Sequence, residues 1–90
     1  MLQPGYSNQF ERDVERARRR GKDLTRLRAV MDALLEPRPL EPRHHDHKLK
    51  GRWAGYRECH VEPDWLLIYR PLGDAILFVR TGTHQDLFGR

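Results

Sequence analysis

Apolar residues recur at helical spacing in the first third of the chain and alternate with polar ones in the last third, so the two ends predict different secondary structure. Phe10, Val14 and Ala17 fall on one face of a segment otherwise crowded with charge. This predicts a helix entered at Ser7 or Asn8 and left at Gly21. Leu24, Leu27, Val30, Met31 and Leu34 form a second stripe, with Asp23 placed to cap it and Pro37, Pro39 and Pro42 placed to stop it. That stripe reads as core rather than as a cofactor or partner box. From Pro37 to about Gly51 no period survives, and a long loop is expected, of a length that is often functional. Three strands follow over 56–61, 65–70 and 75–81, joined by hairpin-length connections. The middle strand, WLLIYR, is apolar on both faces, as for a central strand covered by helices on one side and by a ligand groove or a partner on the other. Residues 1–6 contain Pro4 and form at best an edge strand. The expectation is one α+β domain over residues 1–90, two N-terminal helices packed on an antiparallel sheet of three to four strands.

Composition sharpens this picture. Charged residues make up 33% of the chain and apolar ones only 38%, so much of each helix must face water. Disorder is disfavoured, because both tryptophans and most of the tyrosine and phenylalanine lie in the last forty residues. The net charge of +4 favours an anionic partner, whether RNA, DNA, a membrane surface or an acidic protein. No apolar run approaches the roughly 20 residues of a spanning helix, and the N-terminus lacks the regions of a secretion signal, so a cytoplasmic protein is expected. Cys59 is the single cysteine, which precludes an internal disulfide and agrees with a reducing compartment. The run Arg18, Arg19, Arg20 and Lys22 sits at a helix C-terminus and reads as dipole compensation and solvated surface.

Candidate chemistry gathers in the C-terminal half. Alternation puts Cys59 and Val61 on one face of their strand and Tyr56, Glu58 and His60 on the other. In an antiparallel meander His60, Asp64 and Arg80 then come to one edge, and His84 can fold back to it after Gly82. Spacing alone leaves His47 unplaced. Taken singly, a strand-end histidine is a surface residue, Asp64 a turn residue and Arg80 an ion-pair partner for Glu58 or Asp64. Taken together in a basic protein, they are the equipment for acid/base chemistry on a phosphodiester. The cluster His44, His45, Asp46 and His47 invites a metal, but it lacks helical i, i+4 spacing and a cysteine pair, and no metal or cofactor is expected. Cys59 reads as a small packed residue rather than a nucleophile, and Trp65 as core in preference to a stacking surface.

The segments DHKLKG, YRECHVEPDWLLIY and RTGTHQDLF, with RRGKDLTRL at the helix junction, resemble the YafQ branch of the RelE superfamily of bacterial toxins over nearly the whole chain. The resemblance implies a fold like that of small microbial ribonucleases and cleavage of messenger RNA in the ribosomal A site. It also implies a cognate antitoxin, expected to be a ribbon-helix-helix DNA-binding protein. His47, His60, Asp64 and His84 match positions implicated in catalysis, Arg80 a phosphate-contacting arginine, and Phe88 an aromatic that contacts RNA. Lys48 and Lys50 of DHKLKG are assigned to RNA binding beside them, whereas His44 and His45 receive no role. The implied reaction is metal-independent attack of a ribose 2′-OH, with His84 as acid, His47 or Asp64 as base and His60 in support. The competing reading is a non-catalytic RNA- or antitoxin-binding module of the same fold.

Overall fold

Ser7 opens the first helix by accepting a hydrogen bond from the amide of Phe10, and its own hydroxyl donates to the carbonyl of Val79 at 2.7 Å. One residue thereby starts a helix and fixes it to a strand 72 positions away; such a cap contributes about 1 kcal/mol. The computed structural model describes residues 1–89. In chain order these form β1 (Gln3–Tyr6), α1 (Asn8–Arg19), α2 (Leu24–Leu35), β2 (His47–Lys48), β3 (Arg57–Glu62), β4 (Trp65–Leu72), β5 (Ala75–Gly82) and α3 (His84–Phe88). Asp23 caps α2 as expected, through the amide of Thr25.

The sheet has five strands in the order β1-β5-β4-β3-β2, which corrects the expected three to four. Two physical causes account for the difference. The long loop pairs His47 with Glu58 and Lys48 with Arg57, a two-residue ladder too short to leave a period in the sequence. At the other edge, β1 lies parallel to β5, so the sheet is mixed rather than antiparallel. Pro4 sits on that outer edge, where a missing amide donor removes no ladder bond.

Core side chains fill one side of the sheet. Cys59, Val61, Trp65, Leu67, Tyr69 and Phe78 meet Phe10, Ala17, Leu27, Val30 and Leu34 from the helices, and Trp65 is core as expected. Trp65 donates its indole N–H to Thr81 Oγ1 at 3.0 Å, and Thr81 passes a bond on to the carbonyl of Leu66 at 2.7 Å. The opposite face carries no helix from the N-terminal pair. Leu66 and Ile68 are nonetheless fully buried there.

Within the apolar stripe of α1 lies an acid. The side chain of Asp13 has no exposed surface, and its carboxylate accepts from Arg80 Nε at 2.7 Å, the Thr81 amide at 3.1 Å, Arg16 at 3.1 Å and Gln9 at 3.0 Å. The basic run at the end of α1 is exposed at Arg18, Arg19 and Arg20, as expected, and part of it is also ion-paired. Arg20 binds Asp86 at 2.7 Å, and Lys22 binds Glu62 at 3.1 Å while lying over the Trp65 ring. Arg18 pairs with Glu15 within the helix, a surface contact worth little.

Removing the Asp13 carboxylate strands a partly buried guanidinium and a buried amide. Asp13→Ala is therefore expected to cost about 3–5 kcal/mol in urea denaturation; wild-type stability would contradict the clamp.

Candidate active site

Strand register builds the site. His47 of β2 stands opposite Glu58 of β3, Glu58 opposite Ile68 of β4, and Ile68 opposite Arg80 of β5, a single row on the face away from the helices. One step along, His60 stands opposite Leu66 and Leu66 opposite Gly82. His84, two residues past Gly82, opens α3 and brings its ring centroid 5.8 Å from that of His60. The rings are nearly perpendicular.

Two carboxylates organise the imidazoles. Asp64, in the β3–β4 turn, accepts from both the backbone amide of His84 at 2.9 Å and its Nδ1–H at 2.6 Å. This double contact leaves His84 Nε2 as the nitrogen available to a ligand. Glu58 is almost buried, and its Oε1 lies 3.5 Å from His47 Nε2 and 3.7 Å from His60 Nε2. His47 Nδ1 sits 2.7 Å from the carbonyl of His45, which can only accept, so that nitrogen carries the proton.

The local fold explains α3. Thr83 caps it with a full capping box, in which Asp86 returns a bond to the Thr83 amide. Arg20 and these amide and hydroxyl donors hold the Asp86 carboxyl well below the usual carboxylate range. Gly82 is required by close packing: a Cβ there would meet Asp86 at 2.9 Å. Phe88 ends α3 one turn after His84, so the two share a helix face.

Electrostatics separate the histidines. Burial is the largest influence on His60 and pushes its pKa down; His45, His84 and His47 add repulsion, and the Glu58 carboxylate opposes them. Asp64 is held below its ordinary value by the two bonds from His84. Cys59 is pushed far up by burial on the core side and is not a thiolate, as the sequence reading anticipated.

His47, His60, Asp64 and His84 thus come together. Arg80 shares their sheet face by register, but its guanidinium is not joined to Asp64 or Glu58. A bulge at Val79, where Ile68 pairs with Arg80 and Tyr69 with Phe78, turns the side chain toward Asp13 of α1. Lys48 pairs with Arg57 and therefore lies on the core side of the sheet, away from Glu58; Lys50 is exposed in the following loop.

Sequence reasoning assigned no part to His45, His44 or Asp13, and named Glu58 only as an ion-pair partner for Arg80. Glu58 was legible as the residue two before His60 on the same strand face, and Asp13 as an acid inside an apolar stripe. His45 adopts a left-handed backbone with φ 46° and places its ring 5.3 Å from His60. His44 is buried and donates Nδ1–H to the carbonyl of His60 at 2.6 Å, pinning the loop to β3. Among the described residues no group of three or more histidine, cysteine or acidic side chains is arranged to hold a metal ion.

Helices on one face of a mixed sheet and carboxylate-oriented imidazoles on the other define a class of small α+β proteins with acid/base groups on an open sheet surface. A family model described as the bacterial toxin of type II toxin–antitoxin systems, YafQ, matches residues 2–89, and the chain belongs to that family. It is 47% identical over 85 residues to the mRNA interferase toxin YafQ of Escherichia coli strain K12, covering 93% of this chain and 92% of that one. The toxin in the E. coli DinJ–YafQ toxin–antitoxin complex superposes with a TM-score of 0.90 at 44% identity, covering 99% and 100% of the two chains. A metal-bound toxin from Helicobacter pylori superposes with a TM-score of 0.92 at 38% identity, over 98% and 100%.

In an NMR titration the His60 ring should reach its midpoint below the ordinary histidine value near 6.5. Because the folded-state pKa is the depressed one, the stability tied to neutral His60 is present above that value and is lost as pH falls. Glu58→Gln should move the midpoint lower still, by removing the charge that favours imidazolium. A midpoint that rises in this variant would contradict the arrangement.

Proposed function

We propose that the protein is an endoribonuclease toxin, an mRNA interferase that cuts translated messages in the ribosomal A site and is neutralised by a cognate antitoxin. The observation that carries this reading is the 2.6 Å bond from His84 Nδ1–H to Asp64, which leaves Nε2 free on a ring that stands edge-on to His60, 5.8 Å between centroids. Family membership and the E. coli relative named as an mRNA interferase support it. The DinJ–YafQ complex supports a partner of antitoxin type, expected to be a ribbon-helix-helix protein. The ribosome as the place of action assigns the protein to the cytoplasm, in keeping with the lack, among the described residues, of any helix long and apolar enough to cross a membrane.

In the proposed reaction the 2′-oxygen attacks the adjacent phosphorus as its proton leaves to a base, and the 5′-oxygen departs with a proton from an acid. A 2′,3′-cyclic phosphate and a 5′-hydroxyl remain. His84, as imidazolium with Nε2–H outward, is the acid; Asp64 orients it and offsets its charge. Asp64 Oδ1 already accepts two bonds, which favours His47 as the base, with its proton on Nδ1 and its lone pair on Nε2. His60, biased toward the neutral form, orients the phosphate between them. Arg80 spends Nε and one terminal nitrogen on Asp13, at 2.7 and 3.4 Å, and keeps the other terminal nitrogen for a phosphate oxygen. Phe88, on the face of His84, offers stacking surface, and Lys50 an exposed cation for the RNA backbone. The position of Lys48 on the opposite face makes it a weaker candidate for the same strand.

The metal-bound H. pylori relative is the observation that favours a metal-assisted reading; among the described residues no group of three or more histidine, cysteine or acidic side chains is arranged to hold an ion. His84→Ala is expected to slow cleavage of ribosome-bound mRNA about 10²- to 10⁴-fold while leaving antitoxin binding and thermal stability unchanged. Wild-type cleavage by that variant, or loss of wild-type cleavage in excess chelator, would contradict the mechanism. Intact naked RNA beside cut translated RNA is the expected contrast, and harmless expression of the wild type would favour the binding module.

A further inference from the structure

The open sheet face continues beyond the acid/base groups. Arg57 stands opposite Tyr69, so Tyr56 falls beside Arg70 in the next row, and alternation puts both on the side of Glu58 and Ile68. The Arg70 guanidinium carbon lies 5.3 Å over the Tyr56 ring, and Trp53 meets the same ring edge-on at 5.3 Å and 90°. The backbone holds this arrangement: Tyr56 donates to the Trp53 carbonyl at 3.0 Å and accepts from the Leu49 amide at 3.0 Å. Gly55, at φ 91°, supplies the left-handed turn between the two aromatics.

Arg26, Arg57 and Arg80 face Glu62, Asp46 and Asp13, whereas Arg70 is exposed and has no carboxylate partner among the described residues. One side of its guanidinium rests on an aromatic ring, and the other is open. A strand end that needed only solubility would not require a tryptophan and a tyrosine beneath its charge. Arg52 and Lys50, exposed in the same segment, make the surroundings cationic. From Glu58 to Tyr56 is two residues of strand, about 7 Å, and from His60 it is about 13 Å. A nucleotide adjacent to the bond under attack reaches that far.

We propose that Arg70, backed by Tyr56 and Trp53, is a stacking platform for a nucleobase flanking the scissile phosphate. This subsite rests on the nuclease reading above and adds to it a contact that no acid/base residue supplies. Bases stack on guanidinium planes as they do on aromatic rings, and the layer beneath keeps this guanidinium in place before RNA arrives. Because every base has a π-face, the platform accepts all four and positions the strand without reading it.

The test pairs protein variants with chemically altered messages on ribosomes. Arg70→Ala should lower kcat/KM about tenfold with unchanged thermal unfolding. Arg70→Lys should be no better, since charge without a plane does not stack. On an mRNA made abasic at one nucleotide beside the cut, wild-type protein should fall to the Arg70→Ala rate, and Arg70→Ala should lose nothing further. Wild-type rates for Arg70→Ala, recovery in Arg70→Lys, or losses that multiply at every flanking position would overturn the platform. An uncut unmodified mRNA with wild-type protein would instead sink the nuclease reading, and the subsite with it.

Discussion

Asp13 is the constraint on which the architecture turns. An ionised carboxylate with no exposed surface is tolerated only when its lone pairs are filled, and here two strand residues and two helix residues fill them. The requirement fixes where α1 crosses β5, and therefore where the C-terminal end of that strand points. It also explains the bulge at Val79, which turns Arg80 toward the acid while leaving Thr81 to bind Trp65 from the core side. Packing of Phe10 on Phe78 adds cohesion between helix and sheet, but burial of apolar surface is not directional. The buried charge sets the register.

A similar device operates on the open face, where Glu58 lies under His47 and His60. Imidazoles brought this close repel one another when protonated, and the carboxylate beneath makes the cluster tolerable. His60, more enclosed than His47 or His84, is biased toward its neutral form, while His84 is tied outward to an exposed carboxylate. Chemically identical side chains thus sit in different surroundings on one surface, the condition for dividing acid and base roles between them. The Asp64 and Asp86 contacts at either end of the first turn of α3 keep His84 in that position.

Much of this was legible in the chain. The helix stripes, the caps at Ser7 and Asp23, and the strand boundaries follow from periods of 3.6 and 2, which local sequence carries directly. The meeting of His60, Asp64 and His84 followed from meander geometry. His47 was beyond periodicity because its strand is two residues long, and only the family resemblance put it in the group. The ion-pair partner of Arg80 was not legible for a different reason: a bulge and a helix-borne acid decide it, and neither leaves a mark in the strand's alternation. Glu58 and Asp13 were overlooked because charged residues are expected at the surface, and their burial is a property of the assembled sheet.

The chemical ends left on cleaved RNA test the central claim, that imidazoles and carboxylates alone transfer the protons while the neighbouring ribose supplies the nucleophile. Ribosome-bound mRNA cut by the purified protein should carry a 2′,3′-cyclic phosphate on the upstream fragment and a 5′-hydroxyl on the downstream one. A 3′-hydroxyl with a 5′-phosphate would mean that water, not the 2′-oxygen, is the attacking group, and would contradict the account.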